Sequence, residues 1–294
     1  MKRFDVVVVG AGTAGCTVAR AAAEAGLEVC LIDLKREEDV GRKICGDAIG
    51  RHHFDYLGLE CPVGEEVKQR IEGVKVYSPS TETVFRVRGE GLQGFVVNRH
   101  RFGQRLLRSA MDAGATFLES TQALEPLLKD GFVTGVLTRN RETETKAELC
   151  GKVVADASGF SAVLRRKLPQ EIGIEAHVDG GDVEACFREI RGLREQVQEP
   201  EFCEIYLDQN IAPRGYHWIF PEGENRVNVG LGMAMIKGFP NPKIQFHRRI
   251  LPKSLFKGST LITGGVWYVP TRRPLDCMTG NGFVIVGDSA CQVN

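Results

Sequence analysis

The chain has 294 residues, 43% of them hydrophobic, enough to bury the core of one large domain or two ordinary ones without staples. Lys plus Arg and Asp plus Glu both number 38, so no overall field draws in nucleic acid or an anionic membrane. The nine cysteines are scattered and include no Cys-x-x-Cys pair, which argues against a zinc knuckle or a disulfide framework and for a reducing cytoplasm.

The opening "MKRFDVVVVGAG" carries an apolar run of only a few residues that meets glycines at once, unlike the core of a signal peptide. No run of about 18 apolar residues occurs, so a spanning helix is excluded and any membrane contact is from the side. "FDVVVVG", "AGTAGCTVARAAAEAGL" and "EVCLIDL" predict strand, glycine turn with helix, and strand. Gly10, Gly12 and Gly15 form Gly-x-Gly-x-x-Gly in that turn, which also holds Ala14. Missing side chains there let backbone N–H groups approach a pyrophosphate at the positive end of a helix, and Asp33, ending the second strand, is placed to accept from an adenosine ribose.

Residues 71–98 read as short strands, followed by a helix over about 99–113. "ATFLES", "QALEPLLKD", "GFVTGVLTR" and "GKVVADASG" continue as strands, the last buried and returning to the first sheet. Residues 183–270 read as antiparallel strands with a helix near 241–251, and "GFVIVGDSA" as a final buried strand. The expected class is α/β: a Rossmann-like nucleotide domain from residues 1–70, 95–165 and 271–294, interleaved with an antiparallel-sheet α+β domain from 71–94 and 166–270. In "GYHWIFPEG" strand alternation puts Tyr216, Trp218 and Phe220 on one face and His217 and Ile219 on the other. The charge runs "DLKREED" and "RNRETETKAE" read as solvated loops.

Asp156 and Asp288 each end an apolar strand, and a minimal NAD-binding unit needs neither. With Gly-x-Gly-x-x-Gly, the run Asp156, Gly159, Ser161, Arg165 and the pair Gly287, Asp288 resemble the signature set of flavoproteins built like para-hydroxybenzoate hydroxylase. The resemblance implies FAD, with Arg99 near the flavin, Ala123 in the cofactor site and the Asp288 carboxylate on the ribityl chain. A bland alternative makes Asp156 a helix cap and Arg165 a surface charge.

"GRKICGDAIG" and "GYHWIFPEGENRVNVGLG" narrow this further. Lys43, Cys45 and Gly46, then Tyr216, Trp218, Phe220 and Pro221, then Val229, Gly230 and Gly232 resemble motifs of the geranylgeranyl reductase family. That likeness implies saturation of isoprenoid double bonds, in archaeal ether phospholipids foremost, or in geranylgeranyl diphosphate or a chlorophyll side chain. A prenyl chain can be held beside a flavin only by shape and dispersion, so the three aromatics and Pro221 are expected to wall its cavity, against the plainer reading of core packing.

An isolated alkene has no carbonyl to absorb charge, so hydride delivery needs nearly concerted protonation of the other carbon. Cys45, beside Gly46 in a loop expected on the flavin side where both also meet the cofactor, is the first candidate donor, with Lys43 tuning its proton affinity or steadying flavin charge; a structural thiol is the alternative. His52, His53 and His217 are weaker candidates, and Asp47 is expected to cap a helix beginning at Ala48 in preference to acting as a catalytic carboxylate. Lys35, Arg36 and Arg42 read as surface charge or phosphate contacts. No metal-ligand or nucleophile motif appears.

The electron donor is open between NAD(P)H and a small carrier protein, since no second Gly-x-Gly-x-x-Gly occurs. A transient membrane contact at the inner face follows from a lipid substrate. Family members continue beyond "GDSACQVN" into a long helix and a C-terminal region that closes over the prenyl chain, which implies a fragment or a shortened relative with an open site. Two other activities fit the flavoprotein motifs: an FAD monooxygenase or halogenase, and an electron-transfer flavoprotein serving quinone or a partner.

Overall fold

A computed structural model describes residues 2–293, which fall into two compact units. The first comprises residues 2–42, 103–179 and 270–293; the second comprises 43–102 and 180–269. Segments 43–70 and 95–102, expected with the nucleotide domain, thus lie in the second unit, and 166–179 lies in the first. The cause is pairing: Gly94–Val97 takes Ala48–Gly50 on one side and Val67–Ile71 on the other, making a three-stranded antiparallel sheet. No local pattern announces those partners.

In the first unit the run Val6–Val9 is buried on both faces, as a central parallel strand must be. The strand Lys2–Val9 lies between Val29–Ile32 and Lys146–Asp156, all parallel, with Val9 opposite both Ile32 and Asp156. Thr116–Leu118 and Phe283–Ile285 extend the sheet in parallel on either side. A hairpin of Thr121–Lys129 and Phe132–Asn140 adds antiparallel strands to Lys146–Asp156. Apolar side chains such as Val7, Ile32, Val154, Leu164 and Phe283 fill the core, each contributing roughly 1.5–3 kcal/mol on burial. The helix Thr13–Glu24 follows the first strand directly and buries Gly15, Cys16, Ala19 and Ala23.

The second unit is built on a seven-stranded sheet in the order Thr260–Pro270, Val183–Gly192, Arg226–Ala234, Tyr216–Pro221, Phe202–Tyr206, Gly73–Tyr77, Val84–Arg88. Pairs from Val183–Gly192 through Phe202–Tyr206 are antiparallel, and Phe202–Tyr206 runs parallel to Gly73–Tyr77. One face packs Phe187, Ile219, Val229 and Leu231 against Phe246 and Ile250. Both belong to the wide turn Phe246–Ile250, which continues the short helix Pro242–Gln245. Asn241 starts that helix, its Oδ1 accepting from Lys243 N at 2.9 Å. The other face is the one that carries the candidate chemistry.

Candidate functional site

In the first unit the glycine turn, Asp33, Ala14 and the Gly287–Asp288 turn lie together, whereas Arg99, Cys45 and Gly46, also expected at the cofactor, belong to the second unit. Asp33 Oδ2 accepts from Ala11 N at 2.7 Å and Oδ1 from Lys35 N at 2.9 Å, so the carboxylate clamps the glycine turn to the end of the second strand. Gly12 caps the helix Thr13–Glu24 without any side-chain acceptor, and nothing lies within 4 Å of where its β-carbon would be. Gly10, at φ +102°, would bring a β-carbon to 2.5 Å from Ala157 O, so only glycine lets the turn meet the loop after Asp156. A β-carbon on Gly287 would come within 2.8 Å of Ala14 Cβ, which places the Gly287–Ala290 turn, and Asp288 within it, against the helix start. An open helix end, bare glycine backbone and two carboxylates fit the diphosphate and ribose of a dinucleotide.

Three predicted residues work differently. Asp156 is fully buried, and its carboxylate accepts from Ser158 N, Ser158 Oγ, Leu164 N and Arg165 N at 2.5–3.0 Å. It latches the loop that meets Gly10. Arg165 is no surface charge: it is 2% exposed, with Nη1 donating to Glu175 O. Ala123 is buried in the apolar core, its strand register opposite Thr138. Among the surface candidates, Arg36 pairs with Glu142 and Arg42 with Asp39, while Lys35 donates to Arg42 O.

In the second unit, alternation places Tyr216, Trp218 and Phe220 on one face as expected, with ring centroids 6.0 and 6.1 Å apart along the row. By register the same face carries Cys186, Arg188, Gly230, Gly232 and Asn228. The Lys43–Asp47 loop lies across it. Arg188 Nη2 donates to Lys43 O at 3.4 Å, Ile44 meets Gly265, and Asn228 Nδ2 donates to Cys45 O at 2.8 Å. A β-carbon at Gly46 would stand 2.9 Å from Phe220 Cε2 and 3.8 Å from Trp218 Nε1. The missing side chain of Gly46 is what lets Cys45 sit against the aromatic row. Gly46→Ala should therefore destabilise the protein by about 1–3 kcal/mol, by overpacking against Phe220, and displace the Cys45 turn. Urea unfolding and the alkylation rate of Cys45 measure the two effects.

The row is graded: Phe220 packs toward Ile71, Val96 and Cys203, Trp218 is 6% exposed, and Tyr216 is the open end. Pro221 does not belong to it, since alternation turns it to the side of His217 and Ile219. His217 is thereby removed as a proton donor. It is buried on the opposite face beside Lys253 Nζ at 3.1 Å, and burial pushes its pKa down to about 3. His52 and His53 sit on the helix Arg51–Tyr56 with ring centroids 4.0 Å apart, and burial lowers the pKa of His53.

Asp47 caps no helix. Ala48–Gly50 is a strand, and the helix starts at Arg51. Instead Asp47 is 2% exposed at φ 63°, accepts from Asn228 Nδ2 at 3.3 Å, and burial raises its pKa to about 6. Asn228 and Arg188 are the site residues that motif reading passed over, and Asp47 the one to which it gave the wrong role. One signal was present: Asn228 interrupts the apolar "VNVGLGM", and a polar residue in a buried strand needs a partner. Among the described residues there is no group of three or more His, Cys, Asp or Glu able to hold a metal ion.

Two cavities lie elsewhere. One of 400 Å³ in the second unit is lined by Met233, Met235, Phe239 and Tyr268 with Lys237 and Lys243; one of 720 Å³ in the first is lined by Phe117, Leu118, Thr138 and Leu149 among others. Neither touches the aromatic row.

Comparison with known proteins agrees with these motifs. The family model for the geranylgeranyl reductase catalytic domain matches residues 182–268, which include the aromatic row and Asn228. Digeranylgeranylglycerophospholipid reductase 2 of Methanopyrus kandleri is 31% identical over 297 residues, covering 99% of this chain and 71% of that protein. The chain belongs to the geranylgeranyl reductase family. The digeranylgeranylglycerophospholipid reductase of Sulfolobus acidocaldarius is 39% identical over 99% of this geranylgeranyl reductase homologue, which spans 64% of the Sulfolobus protein's length. A geranylgeranyl bacteriochlorophyll reductase-like protein from Thermoplasma acidophilum superposes with a TM-score of 0.89 at 26% identity, over 99% of this chain and 72% of that one. A model described as lycopene cyclase protein also matches residues 5–203. The chondrochloren halogenase, at 18% identity and a TM-score of 0.74, shares the fold.

Proposed function

We propose that the protein is an FAD-dependent reductase that saturates carbon–carbon double bonds in the geranylgeranyl chains of an archaeal ether phospholipid precursor. The carrying observation is the Lys43–Asp47 loop laid over the row of Tyr216, Trp218 and Phe220, with Gly46 against Phe220 and Asn228 holding the Cys45 carbonyl. The relatives named as digeranylgeranylglycerophospholipid reductases support the substrate class.

In this reading the first unit holds the dinucleotide part of FAD through Gly10, Gly12, Gly15, Asp33 and the Gly287–Asp288 turn, with Gly159 as a further contact. The second unit handles the prenyl chain. Reduced flavin, when bound, supplies a hydride to one alkene carbon. The protein then has to exclude water, orient the chain and deliver a proton to the other carbon. Tyr216, Trp218 and Phe220 orient by dispersion contact. Cys45 gives the proton, with its backbone fixed by Asn228 and Lys43 beside it in the loop. Electrons come from NAD(P)H or a small carrier protein, and the lipid is met by transient contact with a membrane surface; among the described residues no helix is long and apolar enough to cross one.

Anaerobic incubation of the dithionite-reduced full-length protein with geranylgeranylated glycerophospholipid and with geranylgeranyl diphosphate tests the reading. Mass gains by pairs of hydrogens are expected on the phospholipid. A product heavier by one oxygen after aerobic turnover, or no mass change on either lipid, would overturn it.

A further inference from the structure

Asn228 is the point where three separate parts of the second unit meet. Its Oδ1 accepts from the Trp218 indole Nε1 at 3.0 Å, while its Nδ2 donates both to Cys45 O at 2.8 Å and to Asp47 Oδ2 at 3.3 Å. A carboxamide can be turned either way, and here the neighbours allow only one: an indole donates only, and a carbonyl and a carboxylate accept. Asn228 itself is fully buried, so none of these bonds is exchanged for water. The other end of the tie is held firmly. The Asp47 carbonyl accepts from Val97 N at 2.9 Å, and its left-handed φ of 63° is a conformation that a non-glycine residue keeps only when its surroundings over-determine it. The second carboxylate oxygen, Oδ1, is buried and has no hydrogen-bond partner among the described residues.

We propose that Asp47 is a positioning residue for the reduction proposed above: through Asn228 it binds the Cys45–Gly46 turn and the Trp218 indole into one rigid piece, so that proton donor and aromatic surface keep a fixed mutual register. The inference rests on that reading of the site for its catalytic meaning, and on geometry alone for the tie. An unpaired buried oxygen explains why Asp47 holds its proton up to about pH 6. The charges facing it are Arg188 on Val183–Gly192, Lys68 on Val67–Ile71 and Arg99 at the start of Arg99–Asp112, which favour ionisation, and Glu222, which opposes it. Arg188 is itself 6% exposed and reaches the same loop at Lys43 O, so ionised Asp47 is steadied by a guanidinium that also holds the loop. Above about pH 6 the carboxylate accepts more strongly from Asn228 Nδ2, and the tie tightens; below it the carboxyl is neutral and the tie slackens.

The indole N–H of Trp218 reports the tie directly. The chain has two tryptophans, and Trp267→Phe, on the outer strand Thr260–Pro270, leaves Trp218 as the sole indole signal. In the holoprotein its ¹⁵N–¹H resonance, assigned as the cross-peak lost in Trp218→Phe, is expected to move in one step centred near pH 6, and Asp47→Asn, which keeps shape and loses charge, should abolish the step. In turnover Asp47→Asn should lower kcat about tenfold at pH 7.5 while KM stays within about twofold, and flatten the acid limb of the kcat profile. Asn228→Ala should do the same at that pH, and the double variant should be no worse than either alone. A pH-independent resonance in the parent, a step that survives in Asp47→Asn, an unchanged kcat, or additive losses would overturn the inference. If the parent reduces no prenyl lipid, the functional reading falls, while the resonance still decides whether the tie exists.

Discussion

Asp156→Ala is expected to destabilise the protein by about 3–5 kcal/mol, a large part of the roughly 5–15 kcal/mol that holds a typical domain together. The carboxylate is fully buried and accepts four hydrogen bonds, two of them from the main-chain amides of Leu164 and Arg165. Alanine leaves those amides in a dry environment without acceptors, and each such orphan costs about 1–3 kcal/mol. The damage spreads along two routes. Arg165, nearly enclosed beside it, loses the turn that fixes its own backbone, and Ser289 Oγ, which donates to Asp156 O at 2.6 Å, carries the disturbance into the Gly287–Ala290 turn. That turn abuts Ala14 at the dinucleotide helix, so flavin retention should fall with the urea midpoint. Asp156→Asn keeps one acceptor oxygen and should lose about half as much. An alanine variant unfolding at the parental midpoint would show that the latch contributes nothing.

The elements that sequence reading placed well are those in which a local period decides the outcome. The buried run at Val6–Val9, the helix Arg99–Asp112 and the alternation of Tyr216, Trp218 and Phe220 follow from spacing alone. Asp47 failed for the opposite reason. A Gly-Asp-Ala sequence looks like a helix start, yet Ala48–Gly50 pairs with Gly94–Val97, a partner far along the chain, and that pairing turns the residue inward. Pro221 was assigned to the aromatic wall by motif membership, although the same alternation that sorted Tyr216 from His217 sends it to the other side. Asp156 shows a third kind of limit: its strand-end position was legible, but the four donors that saturate it come from a loop whose shape the sequence does not announce. Nor could motif spacing reveal Asn228, whose importance lies in whom it touches.

Trp218→Ala is expected to cut kcat/KM on a long prenyl lipid about a hundredfold while changing FAD affinity less than about threefold. Two losses combine in the alanine variant. The indole lies over Gly230, whose added β-carbon would come 2.5 Å from Trp218 Cζ2, so removing the ring opens a void between the Gly46 turn and the strand beneath it. A void of this size costs about 3–5 kcal/mol in a packed core and removes the central surface of the aromatic row. The second loss is the donor: Asn228 Oδ1 is left buried without its partner, and the carboxamide that fixes Cys45 O becomes free to turn. Trp218→Phe separates the two, since phenylalanine keeps most of the apolar area and lacks the N–H. If dispersion against the chain dominates, the phenylalanine variant retains most of the parental KM; if the Asn228 tie dominates, its kcat falls nearly as far as that of alanine. FAD affinity is the control because Gly10, Gly12, Gly15 and Asp33 stand in the other unit and make none of these contacts. Equal losses of FAD and of turnover in both variants would reduce Trp218 to an ordinary core residue and remove the aromatic row from the substrate site.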